Sequence, residues 1–169
     1  MPSLVKPTAR YKDSFIEAMR EFQREERKKD LDVARLQMNF SEFMTKMRNY
    51  EKGKNLPKGY VPSTYYWLID NSQFIGETTI RHKLTPQLSK EGGHIGYGIR
   101  PSKRRKGYGK KILALALRKA KKMGINTALI TCDDDNVGSW KIIEANGGIL
   151  QDKIQYKGKL NRRYWVQTI

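Results

Sequence analysis

The 169-residue chain is 38% hydrophobic, enough for one domain with a real core over residues 1–169, whereas two domains would be cramped. It has no apolar run near the ~20 residues of a membrane span and no signal-peptide core, and one cysteine, Cys132, beside only His82 and His94 argues against a disulfide framework or a zinc site, so a reducing cytoplasm is the expected setting. The formal net charge of +17 is uneven: no Asp or Glu falls between Gly92 and Cys132, a stretch whose many Lys and Arg would attract polyanions.

In chain order, Ser3 to Pro7 reads as a short strand stopped by proline. Phe15, Met19 and Phe22 recur at helical spacing and predict a first helix from about Lys12 to Arg27. Its tail, Arg24 to Asp30, mixes charges and reads as a solvated helix end and loop. Asn39-Phe40-Ser41-Glu42 resembles a capping box, opening a second helix with Phe40, Phe43, Met44, Met47 and Tyr50 as its apolar stripe. Lys52 to Gly59 is loop by its glycines and proline. Thr64–Ile69 and Phe74–Ile80 predict a hairpin around Asp70-Asn71-Ser72-Gln73. A polar loop with Pro86 and Gly92-Gly93 leads to a strand at His94–Ile99.

Arg104-Arg105-Lys106-Gly107-Tyr108-Gly109 then runs into an amphipathic helix carrying Ile112, Leu113, Ala116, Leu117, Ala120 and Met123 on one stripe. Glycines at a helix N-terminus place unpaired N–H groups and the positive end of the helix dipole where an anion can approach, and the surrounding Lys and Arg add charge. Gly124 caps that helix. Thr127–Cys132 is apolar enough for a strand buried on both faces, which a right-handed crossover makes parallel to His94–Ile99. Asp133-Asp134-Asp135-Asn136 follows, then a helix from about Val137 to Ala145. Strands at Ile149–Tyr156 and Tyr164–Thr168 close the sheet across a basic turn.

A P-loop would need Ser or Thr after Gly109-Lys110, where Lys111 stands. A dinucleotide fingerprint would need a third glycine at Ile112. Arg104-x-x-Gly107-x-Gly109 instead resembles the acyl-CoA pyrophosphate loop of the GNAT N-acetyltransferase family, and Ile99-Arg100-Pro101 looks like that family's strand end. The element order matches the family over essentially the whole chain. This implies an α/β (α+β) GNAT fold: a mixed, mostly antiparallel sheet of about seven strands, a central splayed parallel pair, and about four helices.

The resemblance also implies acetyl-CoA as co-substrate, no metal, and transfer of the acetyl group to the primary amine of a small molecule or peptide. Ile99, Arg100 and Pro101 would line the pantetheine arm, with the Ile99 N–H as oxyanion donor. Arg104, Arg105, Lys106, Gly107, Tyr108, Gly109 and Lys110 would hold the pyrophosphate. Asn136-x-x-Ser139 looks like the family's second cofactor contact, although Asn136 is equally the N-cap its position predicts. Many relatives carry a proton-donating tyrosine where Ile143 stands here, so another tyrosine, water or an unassisted thiolate must serve. His94 and Glu77 are the two candidates for general base, each also readable as a satisfied polar group on a sheet face. A basic nucleic-acid-binding module and a non-catalytic acyl-CoA sensor are the alternative readings. Against the former, no aromatics interleave the basic belt.

Overall fold

The computed structural model describes residues 1–169. The elements run β1 (Ser3–Val5), α1 (Lys12–Arg24), α2 (Val33–Met38), α3 (Phe40–Glu51), β2 (Ser63–Asp70), β3 (Gln73–Arg81), α4 (Pro86–Lys90), β4 (Ile95–Ile99), α5 (Tyr108–Lys122), β5 (Thr127–Asp133), α6 (Val137–Glu144), β6 (Ile149–Tyr156) and β7 (Lys159–Gln167). Short 3-10 turns occupy Ala9–Tyr11 and Pro101–Lys103.

The strands form two sheets, β1-β2-β3-β4 and β5-β7-β6, in which every ladder is antiparallel. The expected parallel pair, β4 and β5, has no ladder. The His94 N–H donates to the Leu129 carbonyl at 2.7 Å just ahead of β4, and the strands then part. Three residues further along each chain, Tyr97 and Cys132 are again close, so the strands run the same way.

The buried stripe of α5 (Ile112, Leu113, Ala116, Leu117, Ala120) packs on one sheet face against residues such as Ile80, Ile95, Ala128, Ile130 and Tyr164, bridging the two sheets. On the other face Phe15, Met19 and Phe22 of α1 and Phe40 of α3 enclose Trp67 and Phe74. Phe15 stacks on Trp67 with centroids 4.4 Å apart.

The structure adds α2 and α4, which the sequence reading leaves in loops. Each is under two turns and too short to show periodicity. They are held by their caps: Asp32 accepts from the Arg35 N–H at 2.9 Å, and Thr85 accepts from the Leu88 N–H at 3.1 Å. The capping box on α3 is only half made. Asn39 accepts from the Glu42 N–H, but the Glu42 carboxylate pairs with Arg35, and the Asn39 N–H goes to the Arg35 carbonyl. Helix α1 ends at Arg24, and Glu26 and Lys28 adopt positive φ as the chain turns back. Strand β7 starts at Lys159, five residues earlier than expected, because Lys157 and Gly158, both at positive φ, close a tight hairpin with β6.

Candidate functional site

At the gap between β4 and β5, the chain from Arg104 to Lys110 wraps the N-terminus of α5. Arg105 (φ 57°) and Gly107 (φ 80°) are both left-handed. Left-handed residues in such a turn point successive N–H groups inward, forming an anion-binding concavity. The N–H groups of Arg105 through Lys110 all lack a protein acceptor, and the helical ladder begins only at Lys111, which donates to the Gly107 carbonyl. Gly107 is the N-cap of α5 and supplies no side-chain cap. Nothing lies within 4 Å of where its Cβ would stand, so its glycine answers to φ and to the space outside. Gly109 has a different reason. A Cβ there would overlap the Ile142 side chain, so it lets α5 pack on α6. The loop forms one wall of a cleft of about 460 Å³, also lined by Arg27, Tyr97, Gly98, Ile99, Asn136 and Ser139.

Not every cation expected in this loop is free. Arg100 is 5% exposed and its guanidinium is held by Glu17 (2.8 Å) and Glu21 (2.7 Å). Arg104 pairs with Glu25 at 2.8 Å and donates to the Ile99 carbonyl at 3.3 Å. Glu17, Glu21 and Glu25 lie four residues apart along α1 and its end, one stripe facing Arg100 and Arg104. These ion pairs tie the loop to α1; the Arg100 guanidinium, on a residue expected to line the arm, is turned toward α1, while Arg104, expected at the pyrophosphate, still lines the cleft. Lys103 donates to Gln73. The Tyr108 phenol turns away to Asp70 at 2.8 Å, leaving its backbone N–H as its only group in the cradle. Arg105, Lys106 and Lys110 are exposed beside the cradle, with no ion pair. Arg27, assigned by sequence to a solvated tail, reaches the cleft because α1 stops early.

The backbone of β4 faces the cleft by alternation. Arg81 donates to the His94 carbonyl and Arg100 to the Ile75 carbonyl, so the bonded pairs with β3 involve the even-numbered residues of this stretch. The N–H groups of Tyr97 and Ile99 therefore point toward β5 and meet no strand there. Pro101 ends the strand and begins a 3-10 turn.

Asn136 caps α6, its side chain accepting from the Ser139 N–H at 3.1 Å, and it is also exposed on the cleft. The sequence missed Tyr97. Its hydroxyl meets Ser139 Oγ at 3.0 Å, and burial pushes the phenol up to about 12. Ile143 is wholly buried in the core, and Ile142 is the residue of that turn that lines the cleft.

On the opposite face, cross-strand pairing sets Tyr65 with Thr79 and Trp67 with Glu77, the side covered by α1 and α3. Beside them β4 presents Gly98 opposite Glu77 and Gly96 opposite Thr79. A Cβ on Gly98 would meet nothing within 4 Å and one on Gly96 only the Arg81 guanidinium, so these glycines leave a shallow groove over the strand. Glu77 forms an ion pair with Lys28, which the α1–α2 turn carries over β3. His94 Nδ1 accepts from the Leu129 N–H at 2.9 Å, which places the neutral ring's proton on Nε2 and leaves no lone pair to receive another. Burial, then the charge of Arg81, holds its pKa below the usual imidazole value. This geometry makes His94 a structural acceptor and removes it as a base. Two members of the acidic run are ion-paired: Asp133 with Lys159, and Asp134 with Arg162 and Lys153.

Residues 9–149 match the family model described as an acetyltransferase (GNAT) domain. Among solved structures, RimJ of Mycobacterium smegmatis, in complex with a CoA disulfide, superposes with a TM-score of 0.73 at 13% identity, covering 98% of this chain and 81% of that one. The microcin C7 self-immunity acetyltransferase MccE, in complex with acetyl-CoA and AMP, gives 0.70 at 13% identity (98% and 92% covered). An acetyltransferase of Salmonella typhimurium that modifies the N-terminal serine of a 50S ribosomal subunit protein gives 0.68 at 14% identity (98% and 94% covered). At such identities the likeness is one of fold. No curated protein matches the sequence. No helix is long and apolar enough to cross a membrane.

Proposed function

Because the chain belongs to the GNAT acetyltransferase family, we propose that it transfers an acetyl group from acetyl-CoA to a primary amine reaching the β4 groove from the α1–α3 side. The observation that carries this reading is the row of unpartnered N–H groups from Arg105 to Lys110 at the start of α5. A cradle of backbone donors with Arg105, Lys106 and Lys110 at its rim suits a pyrophosphate. Acetyl-CoA supplies the activated acyl group. Tyr97, Gly98 and Ile99 would line its arm and Asn136 would face it across the gap.

Glu77, on the groove side and ion-paired with Lys28, takes the proton from the attacking ammonium. The amine nitrogen then adds to the thioester carbon, and the Ile99 N–H donates to the carbonyl oxygen as negative charge gathers there. As the carbon–sulfur bond breaks, the Tyr97–Ser139 pair would hydrogen-bond the departing sulfur. A phenol near pKa 12 facing a thiol of ordinary pKa ~8.5 would give up its proton uphill by ~5 kcal/mol. Tyr97 therefore stabilises the thiolate without protonating it; the second proton of the attacking nitrogen passes to solvent as the intermediate collapses, and solvent protonates the thiolate.

Saturating acetyl-CoA, at ~100 times its dissociation constant, should add ~2.7 kcal/mol to stability. For a domain of this size the melting temperature should rise by roughly 5–10 °C. An unmoved transition, together with duplex or single-strand binding that persists at high salt, would replace this reading with the nucleic-acid one.

A further inference from the structure

One cation in the groove has no carboxylate. Arg81 lies at the end of β3, on the face that carries Glu77, and is half-buried. Its Nη1 donates to the carbonyls of Gly92 (2.9 Å) and Gly93 (3.2 Å), which fixes the guanidinium. Nε and Nη2 have no protein partner. A Cβ on Gly96 would stand 3.7 Å from Nη1 and 3.8 Å from Nη2, so the planar group lies over the bare backbone of β4. Its neighbours are the phenols of Tyr65 and Tyr60, and His94. Each can donate a hydrogen bond, and none carries a negative charge to balance the guanidinium: Tyr65 is pushed up to about 12 and keeps its proton, and His94 carries its proton on Nε2. Glu77, the acid of this face, is already paired with Lys28. A half-buried guanidinium costs desolvation without a partner, and donors crowding it select a ligand that only accepts.

We propose that Arg81 is the specificity residue of the acceptor site and binds the carboxylate of the amine substrate. The inference rests on the acetyltransfer reading above and narrows it to small amines carrying a free carboxylate. The geometry also sets a spacing. The guanidinium lies at the level of Gly96, while Glu77 pairs with Gly98. Two residues along a strand span about 7 Å. The reacting amine and the carboxylate should therefore be separated by roughly that distance, as in the side-chain amine of a diamino acid or the N-terminus of a dipeptide, and not as in the α-amine of a free amino acid. The uncommitted Nε and Nη2 form one edge of the guanidinium, which a carboxylate meets with two parallel hydrogen bonds.

The test compares lysine and ornithine with their carboxamides, and glycylglycine with its amide, as acceptors for wild type, Arg81→Gln and Arg81→Lys. Wild type should prefer each carboxylate by ~10²-fold or more in kcat/KM. Arg81→Gln should lose that preference, with kcat/KM falling more for each carboxylate than for its carboxamide, and Arg81→Lys should recover only part of it. The diamino acids against the dipeptide decide which of the two amines fits. Thermal shifts of the same ligands on the wild-type CoA complex give a second readout, which depends neither on turnover nor on the variants folding. Equal use and equal binding of carboxylates and carboxamides would overturn the proposal, as would a preference that survives Arg81→Gln. So would failure of every small amine while a peptide or protein is acetylated. That last result would leave acetyltransfer standing, whereas the absence of any acetyl-CoA shift would remove the reading beneath both.

Discussion

The two sides of β4 share a strand but are built from different materials. On the side facing α5 and α6, the groups on offer are mostly backbone: N–H groups from Arg105 to Lys110 and those of Tyr97 and Ile99, with exposed cations at the rim. On the side facing α1 and α3 it is side chain: Glu77, Lys28 and Arg81, with Gly96 and Gly98 merely making room. A backbone cradle suits a group that never changes, since only chain path and missing Cβ atoms define it. A side-chain groove can be re-cut one residue at a time, which is where we propose specificity for the acceptor resides.

If this division is right, damage to each side should have a different kinetic signature. The largest effect is expected from Glu77→Gln, which removes the base but keeps the shape. Turnover should fall by roughly 10²–10⁴ while acetyl-CoA affinity, measured by titration, stays unchanged. A parallel loss of affinity would place Glu77 in the cofactor side's architecture and break the comparison.

Next comes the cradle itself. Gly107→Val puts a β-branched residue at φ 80°. The turn must rearrange or carry the strain, and acetyl-CoA should bind ~10²-fold more weakly, with the rate at saturation little altered. Lys122→Ala, at the far end of the same helix, should change binding less than ~2-fold. Calorimetric titration of the two variants separates a built cradle from a diffuse positive field, because a field would respond similarly to both.

The smallest effect sharpens the role of His94. Its folded pKa lies below the usual ~6.5. Between those two values the unfolded chain binds a proton that the folded chain refuses. Stability should therefore fall as pH drops below ~6.5, down to the depressed folded value, and be fully present above it. His94→Asn retains an acceptor for the Leu129 N–H but does not titrate. Urea unfolding midpoints from pH 8 to pH 5 should slope less for this variant than for wild type. An equal slope would mean other groups set the acid limit.

The sequence by itself determined the order of the long elements, the α5 stripe, the hairpin at Asn71-Ser72 and the position of the backbone cradle at the start of α5. These are local properties. Helical or alternating periodicity, a glycine at a turn and the first residues of a helix are fixed by neighbours within a few positions. Asn136 as a cap was legible for the same reason. What only the tertiary structure decided lies between residues far apart in the chain. Glu17, Glu21 and Glu25 read as an ordinary charged helix face until the fold sets them against Arg100 and Arg104, some 80 residues on, and gives those two arginines carboxylate partners. Glu77 gains Lys28. His94 loses its lone pair to a strand that follows α5. Tyr97 becomes a cleft residue because α6 brings Ser139 to its hydroxyl. In each case a charge or a lone pair has several chemically equivalent partners in the sequence, and only the packed sheets and helices choose among them.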